Sequence, residues 1–371
     1  MNIFKHTPVQ TSITLTQYVN TVPTSKLEMP LIEKQEVNFL NTEWIASANV
    51  AHEKEAIILS AALKLKEGNI NSINAGITME IGNWSTKNYV LMPAALYNGN
   101  RFESRKIPYP PMPDKGDGLA PDSPVIISDV PRLNNKEGDS CVNLMAGDMA
   151  TPSVGIYFME SKKGLFILSE QGNENGEYGF KLEENNDRSK IKISVSLPCV
   201  RERKRYYICD NDYPSTDKGY NAKEGSLINL SFRIYEFDCP SIQALYDYFT
   251  NIRKALTGNP PLINEFPFHT AFKTIEKNLN ENRWVHEYGY YSLGERNNIY
   301  QDWQTGWVGG MMNTYSFLVL GEEASVLRSI KNFDFIFPDG QDESGFFHGC
   351  FKDGIWYGDD FRNIKASWNL V

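Results

Sequence analysis

Apolar residues recur along this chain at two different spacings, and the change from one to the other falls near residue 240. Before that point the runs are short, partly alternating and bounded by Gly, Asn and Lys, as strands are. Ala56–Leu65 is a long apolar run that stops at Gly68-Asn69, and Ile73–Ile81 alternates in part before Gly82-Asn83. Thr151–Met159 and Leu165–Ser169 flank a turn at Lys162-Lys163-Gly164 and predict a hairpin. Further strands are predicted over Tyr178–Leu182, Lys190–Leu197, Arg205–Cys209 and Leu227–Phe237. In the last of these Ile228, Leu230, Phe232 and Ile234 keep the period of two that a sheet with one buried face requires. Many strands with Gly- and Asn-rich turns imply an antiparallel β-sandwich. The Pro-rich stretch Ile107–Pro124 cannot join a central ladder and predicts a long ordered loop.

Beyond Cys239-Pro240 the spacing becomes helical. Ser241 is placed as an N-cap for a helix carrying Ile242, Leu245, Phe249, Ile252 and Leu256, which Gly258-Asn259-Pro260-Pro261 stops. Phe268, Phe272, Ile275 and Leu279 mark a second helix ending near Trp284. The stretch Asp302–Gly321 has almost no polar face, which predicts a helix buried on all sides. Glu323–Phe337 predicts an amphipathic helix with Val326, Leu327, Ile330 and Phe333 inward. Amphipathic helices alternating with a wholly apolar one suit concentric outer and inner rings. The expected organisation is thus a β-sandwich domain over 1–238 and a helical domain over 239–371.

Composition narrows the function classes. A net charge of -9 argues against nucleic acid, whose phosphates need clustered Lys and Arg. The densest basic run, Arg201–Arg205, is short, contains Glu202 and reads as a solvated strand edge or loop. The 5 cysteines show no CxxC spacing, so neither a disulfide framework nor a zinc site is suggested. Residues Met1–Gln10 lack an apolar signal core, and no apolar stretch is long enough to span a bilayer. The expected location is cytoplasmic as the chain stands, and periplasmic or secreted if its start has been trimmed. Phosphate-loop, dinucleotide, zincin and serine-hydrolase motifs do not occur, so no cofactor is predicted. The aromatic share of 12% is high; such rings build cores and also supply the platforms on which sugars stack.

Three segments are candidates for chemistry. Tyr300–Trp307 places Asp302, Trp303, Gln304 and Trp307 at the start of the apolar helix, where free N–H groups bind hydroxyl or anionic ligands. Asp302 reads equally as a plain helix cap, with the indoles as core. Asp339–Gly349 and Phe351–Asp360 contain His348, Trp356 and a hairpin turn at Lys352-Asp353-Gly354, bracketed by acids that include Glu343, Asp359 and Asp360. Glycosidic cleavage needs two carboxyl groups flanking the scissile bond, although an exposed acidic hairpin is the simpler account. Around Asn98-Gly99, Tyr97, Asn100 and Arg101 suit hydroxyl or carboxylate recognition, or else form a turn with a surface Arg.

Through Asn88–Phe102, Asp302–Gly310 and Gly345–Asp360, the chain resembles the bacterial six-hairpin glycosidase-like proteins. These carry an N-terminal antiparallel β-supersandwich followed by an (α/α)6 toroid. The resemblance covers the whole chain in architecture and does not name a substrate. It implies that Trp368–Val371 opens the next inner helix, so that the toroid is incomplete and the chain a truncated product or a fragment. An unfinished toroid would leave apolar faces between Trp303 and Leu320 exposed, an association surface. The implied function is glycoside hydrolysis of an oligo- or polysaccharide by Asp302 with one of Glu343, Asp359 and Asp360, while Trp303, Trp307 and Tyr97 stack sugar rings; it belongs to the complete toroid, and this chain by itself is expected to be inactive or incomplete. A polysaccharide lyase would instead pair Arg101 with a uronate and use a Tyr or His348 as base. A non-catalytic carbohydrate-binding protein is the third reading.

Overall fold

The structure is a computed structural model that describes residues 9–102, 130–135, 138–206, 212–258, 263, 265–298, 302–305 and 311–358. The Pro-rich stretch, Trp307, Asp359, Asp360 and the last residues Trp368–Val371 lie outside them. The chain divides into two compact units, Met1–Pro260 and Pro261–Val371.

The first unit is a sandwich of two antiparallel sheets. One sheet contains β1 (Val9–Val19), β2 (Val22–Pro30), β6 (Asn69–Ile81), β9 (Ser140–Met145), β14 (Gly179–Glu184), β15 (Ile191–Leu197) and β18 (Tyr220–Lys223). Its order is β2-β1-β6-β15-β14-β9, with β18 also pairing β6. The other contains β3 (Lys34–Phe39), β4 (Thr42–Glu53), β5 (Ala56–Glu67), β7 (Tyr89–Met92), β8 (Leu96–Tyr97), β10 (Ser153–Phe158), β11 (Lys163–Ser169) and β19 (Leu227–Asp238). Its order is β3-β4-β5-β19-β11-β10-β7-β8. Two short ribbons, β12 (Gly172–Asn173) with β13 (Gly176–Glu177) and β16 (Lys204–Tyr206) with β17 (Asp212–Pro214), complete it. Alternation explains the core: Ile191, Ile193, Val195 and Leu197 of β15 meet Ile228, Leu230, Phe232 and Ile234 of β19 in one buried cluster. Each such side chain contributes about 1.5–3 kcal/mol on burial. The predicted hairpin is present as β10 paired with β11.

A helix, α1 (Ile242–Ile252), packs on this unit rather than opening the next one. Ser241 Oγ accepts from the Ala244 N–H at 3.2 Å, the predicted cap. Leu245 and Ile252 join Tyr157, Phe166, Leu168 and Tyr235, and Phe249 stacks on Phe166 at 5.6 Å. The sandwich unit therefore extends past residue 238 through α1 and the one-turn α2 (Lys254–Thr257). The basic run is not uniformly solvated: Arg201 is buried, with Nε 2.7 Å from Asp217 and a further pair to Asp148.

The second unit contains α3 (Phe268–Asn282), α4 (Met311–Leu320) and α5 (Glu323–Ile336). It also contains the hairpin β20 (Trp284–Val285) with β21 (Tyr290–Tyr291), and a sheet of β22 (Trp303–Gln304), β23 (Cys350–Lys352) and β24 (Ile355–Tyr357). The turn between β23 and β24 uses Asp353 at φ 49° and Gly354 at φ 81°, the paired positive values of a tight hairpin. Three expectations are corrected here. Trp303 and Gln304 pair with Phe351 and Cys350 as a strand, so Asp302 caps no helix. The apolar helix is not buried on all sides, because Tyr315 and Leu320 are 67% and 66% exposed while Met311, Thr314 and Phe317 face inward. The inward face of α5 is also rotated from the expected one: Ser325, Ser329, Asn332 and Ile336 are buried and Leu327 and Ile330 exposed. Ser325 accepts from Asn280 and Asn332 from Thr314, so the buried face of α5 is held in part by polar contacts. The described residues of this unit hold three helices, which do not by themselves close the rings of a toroid. Among the described residues no helix is long and apolar enough to cross a membrane.

Candidate functional site

The second unit brings together four of the predicted residues, Asp302, Trp303, His348 and Trp356, around an aromatic cluster. Register sets Trp303 opposite Phe351, and Phe351 opposite Trp356. The Trp303 indole is fully buried, edge-on to Phe335 at 5.2 Å and to Trp356 at 5.5 Å. Tyr290 enters from β21 and contacts Phe335 at 4.9 Å. His348 stacks against Trp356 at 5.8 Å, and its carbonyl accepts from the Thr305 hydroxyl at 2.7 Å.

Asp302 sits one residue before Trp303 and is 0% exposed. The loop that holds it turns back on itself, with the Asp302 N–H donating to Asn298 O and the Leu293 N–H donating to Asp302 O, both at 3.0 Å. Its Oδ1 accepts from the Tyr290 hydroxyl at 2.6 Å and from Arg296 Nε at 3.3 Å. Burial first, then the hydrogen bond and charge of Asp302, push the Tyr290 phenol far above its ordinary value. Tyr290 therefore stays protonated and acts as a donor. Arg296 in turn lies over the Tyr288 ring at 5.7 Å.

Three polar atoms bordering this cluster have no hydrogen-bond partner among the described residues: Asp302 Oδ2, Trp303 Nε1 and His348 Nδ1. Leaving a buried donor or acceptor unsatisfied costs about 1–3 kcal/mol. Burial also pushes the His348 imidazole below its ordinary value, with partial compensation from Asp342, so the ring is neutral at neutral pH. A carboxylate held at one oxygen and unpartnered at the other can handle a proton or bind a hydroxyl.

The other predicted residues are distributed differently. Gln304 is buried on β22. Glu343 is exposed on a turn closed by the Gly345 N–H donating to Asp342 O at 2.9 Å. Tyr97, Asn100 and Arg101 belong to the first unit. Tyr97 is 48% exposed, and its hydroxyl accepts from the Ala94 N–H at 3.0 Å. Asn100 ties its own turn together through Tyr97 N, Ala95 O and Pro131 O. Arg101 is a correction: its side chain is 5% exposed and paired with the fully buried Glu184, which also accepts from Trp84 Nε1 at 2.7 Å and Ser140 Oγ at 2.5 Å. It neutralises an internal carboxylate, so the lyase reading loses its uronate clamp. Tyr290 and Arg296 were missed. The run Tyr288-Gly289-Tyr290-Tyr291 with Arg296 shortly before Asp302 was the available signal.

No protein-family model matches the chain, and no curated protein matches it. Among solved structures it is similar to a putative aldose 1-epimerase from Escherichia coli K12 (6% identity, 55% of this chain, 64% of that one, TM-score 0.33). It is also similar to the Slr1438 protein of Synechocystis sp. PCC 6803 (8%, 55% and 60%, TM-score 0.31). A third is a galactose mutarotase-like protein from Clostridium acetobutylicum (7%, 57% and 67%, TM-score 0.27). The chain spans 64% and 60% of the first two.

Proposed function

We propose that this protein acts on carbohydrate as a glycoside hydrolase-like enzyme, with Asp302 as one carboxylate of the reaction. The observation that supports this is the asymmetric state of Asp302: Oδ1 is held by Tyr290 and Arg296, and Oδ2 is unpartnered. Holding one oxygen orients the carboxyl group, and the other is left to meet a glycosidic oxygen or an attacking water. The second carboxylate comes from Glu343, Asp359 or Asp360. Trp356 is half-buried and offers part of its ring for a sugar to stack on. Because Asp302 is fully buried, a substrate reaches it only when covering residues move. On this reading apolar α4, between the amphipathic α3 and α5, belongs to the opening turns of an (α/α)6 toroid.

The test is reducing-sugar release from a panel of plant and host polysaccharides by the full chain and by its Asp302→Asn variant. Loss of a positioned acid or base lowers turnover by about 10²–10⁴-fold. Equal turnover by the variant, or binding without any turnover by the parent, overturns the assignment.

A further inference from the structure

The middle residues of β1 and β6 are buried on both faces of the seven-stranded sheet, yet only one of those faces is apolar. In β1, Ile13 and Leu15 enter the sandwich core, while Thr14 and Thr16, 5% and 7% exposed, lie on the opposite face. In β6, Ile73, Ala75, Ile77 and Met79 enter the core, while Asn74 and Thr78 are 4% and 3% exposed on the other side. Where an antiparallel sheet turns its second face to water, the polar side chains of that face are ordinarily exposed. Here they form the floor of a recess.

Register arranges that floor in rows. Thr14, Gly76 and Ser196 lie side by side across β1, β6 and β15, and the next row is Thr78, Ser194, Lys181 and Asn143. Gly76 keeps the first row low, since a Cβ there would come 2.9 Å from Thr14 Oγ1 and 3.3 Å from Ser196 Cβ. The segment after β15 supplies a wall: Lys181 Nζ donates to Glu202 at 2.8 Å, and Asn143 donates to Val200 O at 3.2 Å. The recess has a volume of about 350 Å³ and shares Asn143, Lys181, Glu183 and Glu202 with a neighbouring one of about 300 Å³. Together they match the volume of small-molecule sites, about 300–1,000 Å³.

The chemistry of the lining selects a ligand class. The recess is lined by two lysines, Lys26 and Lys181, and two carboxylates, Glu183 and Glu202, with Lys181 2.9 Å from Glu183 and 2.8 Å from Glu202, so the lining has no net positive charge to offer a phosphate or carboxylate. What remains is a row of hydroxyls and amides. Thr78 bonds Ser194 at 2.8 Å and Asn74 bonds the Tyr18 phenol at 3.1 Å, while the hydroxyls of Thr14, Thr16 and Ser196 have no side-chain partner among the described residues. Each hydroxyl both donates and accepts, as does each hydroxyl of a sugar. We infer that this recess binds a neutral polyhydroxylated ligand, a segment of an oligosaccharide, at a site in the first unit separate from Asp302. The inference does not rest on the Asp302 reading, and it is tested by binding without turnover.

The experiment is calorimetric titration of the full chain with maltohexaose, cellohexaose, xylohexaose and mannohexaose, with a galacturonate hexamer as the charged comparison. At least one neutral hexamer should bind saturably with a Kd on the order of 1 mM or tighter. Ser196→Trp, which fills the trough, should weaken that binding by about tenfold or more. Its melting temperature should match the parent's; should it unfold, Thr14→Val and Asn143→Leu carry the same test by removing hydrogen-bonding groups without filling the trough. Absence of saturable binding by every neutral hexamer, preference for the uronate, or binding unchanged in the folded trough variants would each overturn the assignment.

Discussion

Replacing Glu184 by Gln leaves Arg101 without its carboxylate inside the first unit, and the structure allows the consequence to be sized. The Glu184 side chain is 0% exposed and the Arg101 side chain 5%, so neither charge is screened by water. Glu184 accepts from Trp84, Ser140 and Arg101, and Arg188 lies 3.6 Å away. Removing one partner of such a buried pair costs about 3–5 kcal/mol, because the other charge stays buried and uncompensated. With an m-value near 3 kcal/mol/M in urea, the midpoint of the β-rich transition falls by about 1–2 M. The assay is urea unfolding followed by far-ultraviolet circular dichroism, which reports mainly on the two large sheets. Glu184→Gln with Arg101→Met should recover part of the loss, since an apolar replacement removes the orphaned charge. Burial alone would raise the Glu184 carboxyl, but the hydrogen bonds from Arg101 and Ser140 hold it below its ordinary 4.5. A depressed carboxylate contributes stability above its unfolded value and loses it as pH falls through the lower folded one, so the parent should weaken below about pH 4.5. A midpoint shift under about 0.3 M, or a double variant no better than the single one, would refute the argument.

Two further outcomes follow from local geometry. A Cβ at Gly155 would lie 2.3 Å from Phe166, whose ring is held between Phe237 and Phe249, so Gly155→Ala should cost about 1–3 kcal/mol. Thermal unfolding measures it, and an unchanged melting temperature contradicts the packing described. His348 is lowered from its ordinary 6.5 by burial, so the unfolded chain takes up the proton first and stability falls as pH drops below about 6.5. His348→Gln should flatten stability between pH 7 and pH 5, and an undiminished slope in the variant would assign that pH dependence to other groups.

The strands were legible where one face is apolar and the other polar, as in β15 and β19, because burial on one side leaves a period of two in the residues themselves. The strands of residues 9–53 were less so. β2 and β3 are edge or near-edge strands carrying Lys26, Glu28 and Glu36, and the hydroxyls of β1 are recessed instead of exposed. The stretch 302–320 misled for a different reason. An apolar run carries no period, so Trp303 could not be told as a strand residue until its pairing with Phe351 was known. Nor does such a run reveal how much of a helix is covered: Met312, Tyr315 and Val319 are exposed although their neighbours Met311 and Phe317 are buried.

Charged residues expose the same limit more sharply, and they also show how structure resolves it. In the sequence Arg101 stands beside the Asn98-Gly99 turn and Asp302 at the expected start of the apolar helix, each close to aromatic residues. The partner of Arg101 lies 83 residues away and that of Asp302 lies 12 and 6 residues away, separations that local pattern cannot supply. Once partners are assigned, saturation separates the two roles. Both oxygens of Glu184 receive hydrogen bonds, which is the condition a buried charge must meet to be purely structural. Asp302 meets it at one oxygen only. A fold that neutralises one buried carboxylate completely and leaves another half-satisfied spends stability at the second, and such sites are where function is sought first.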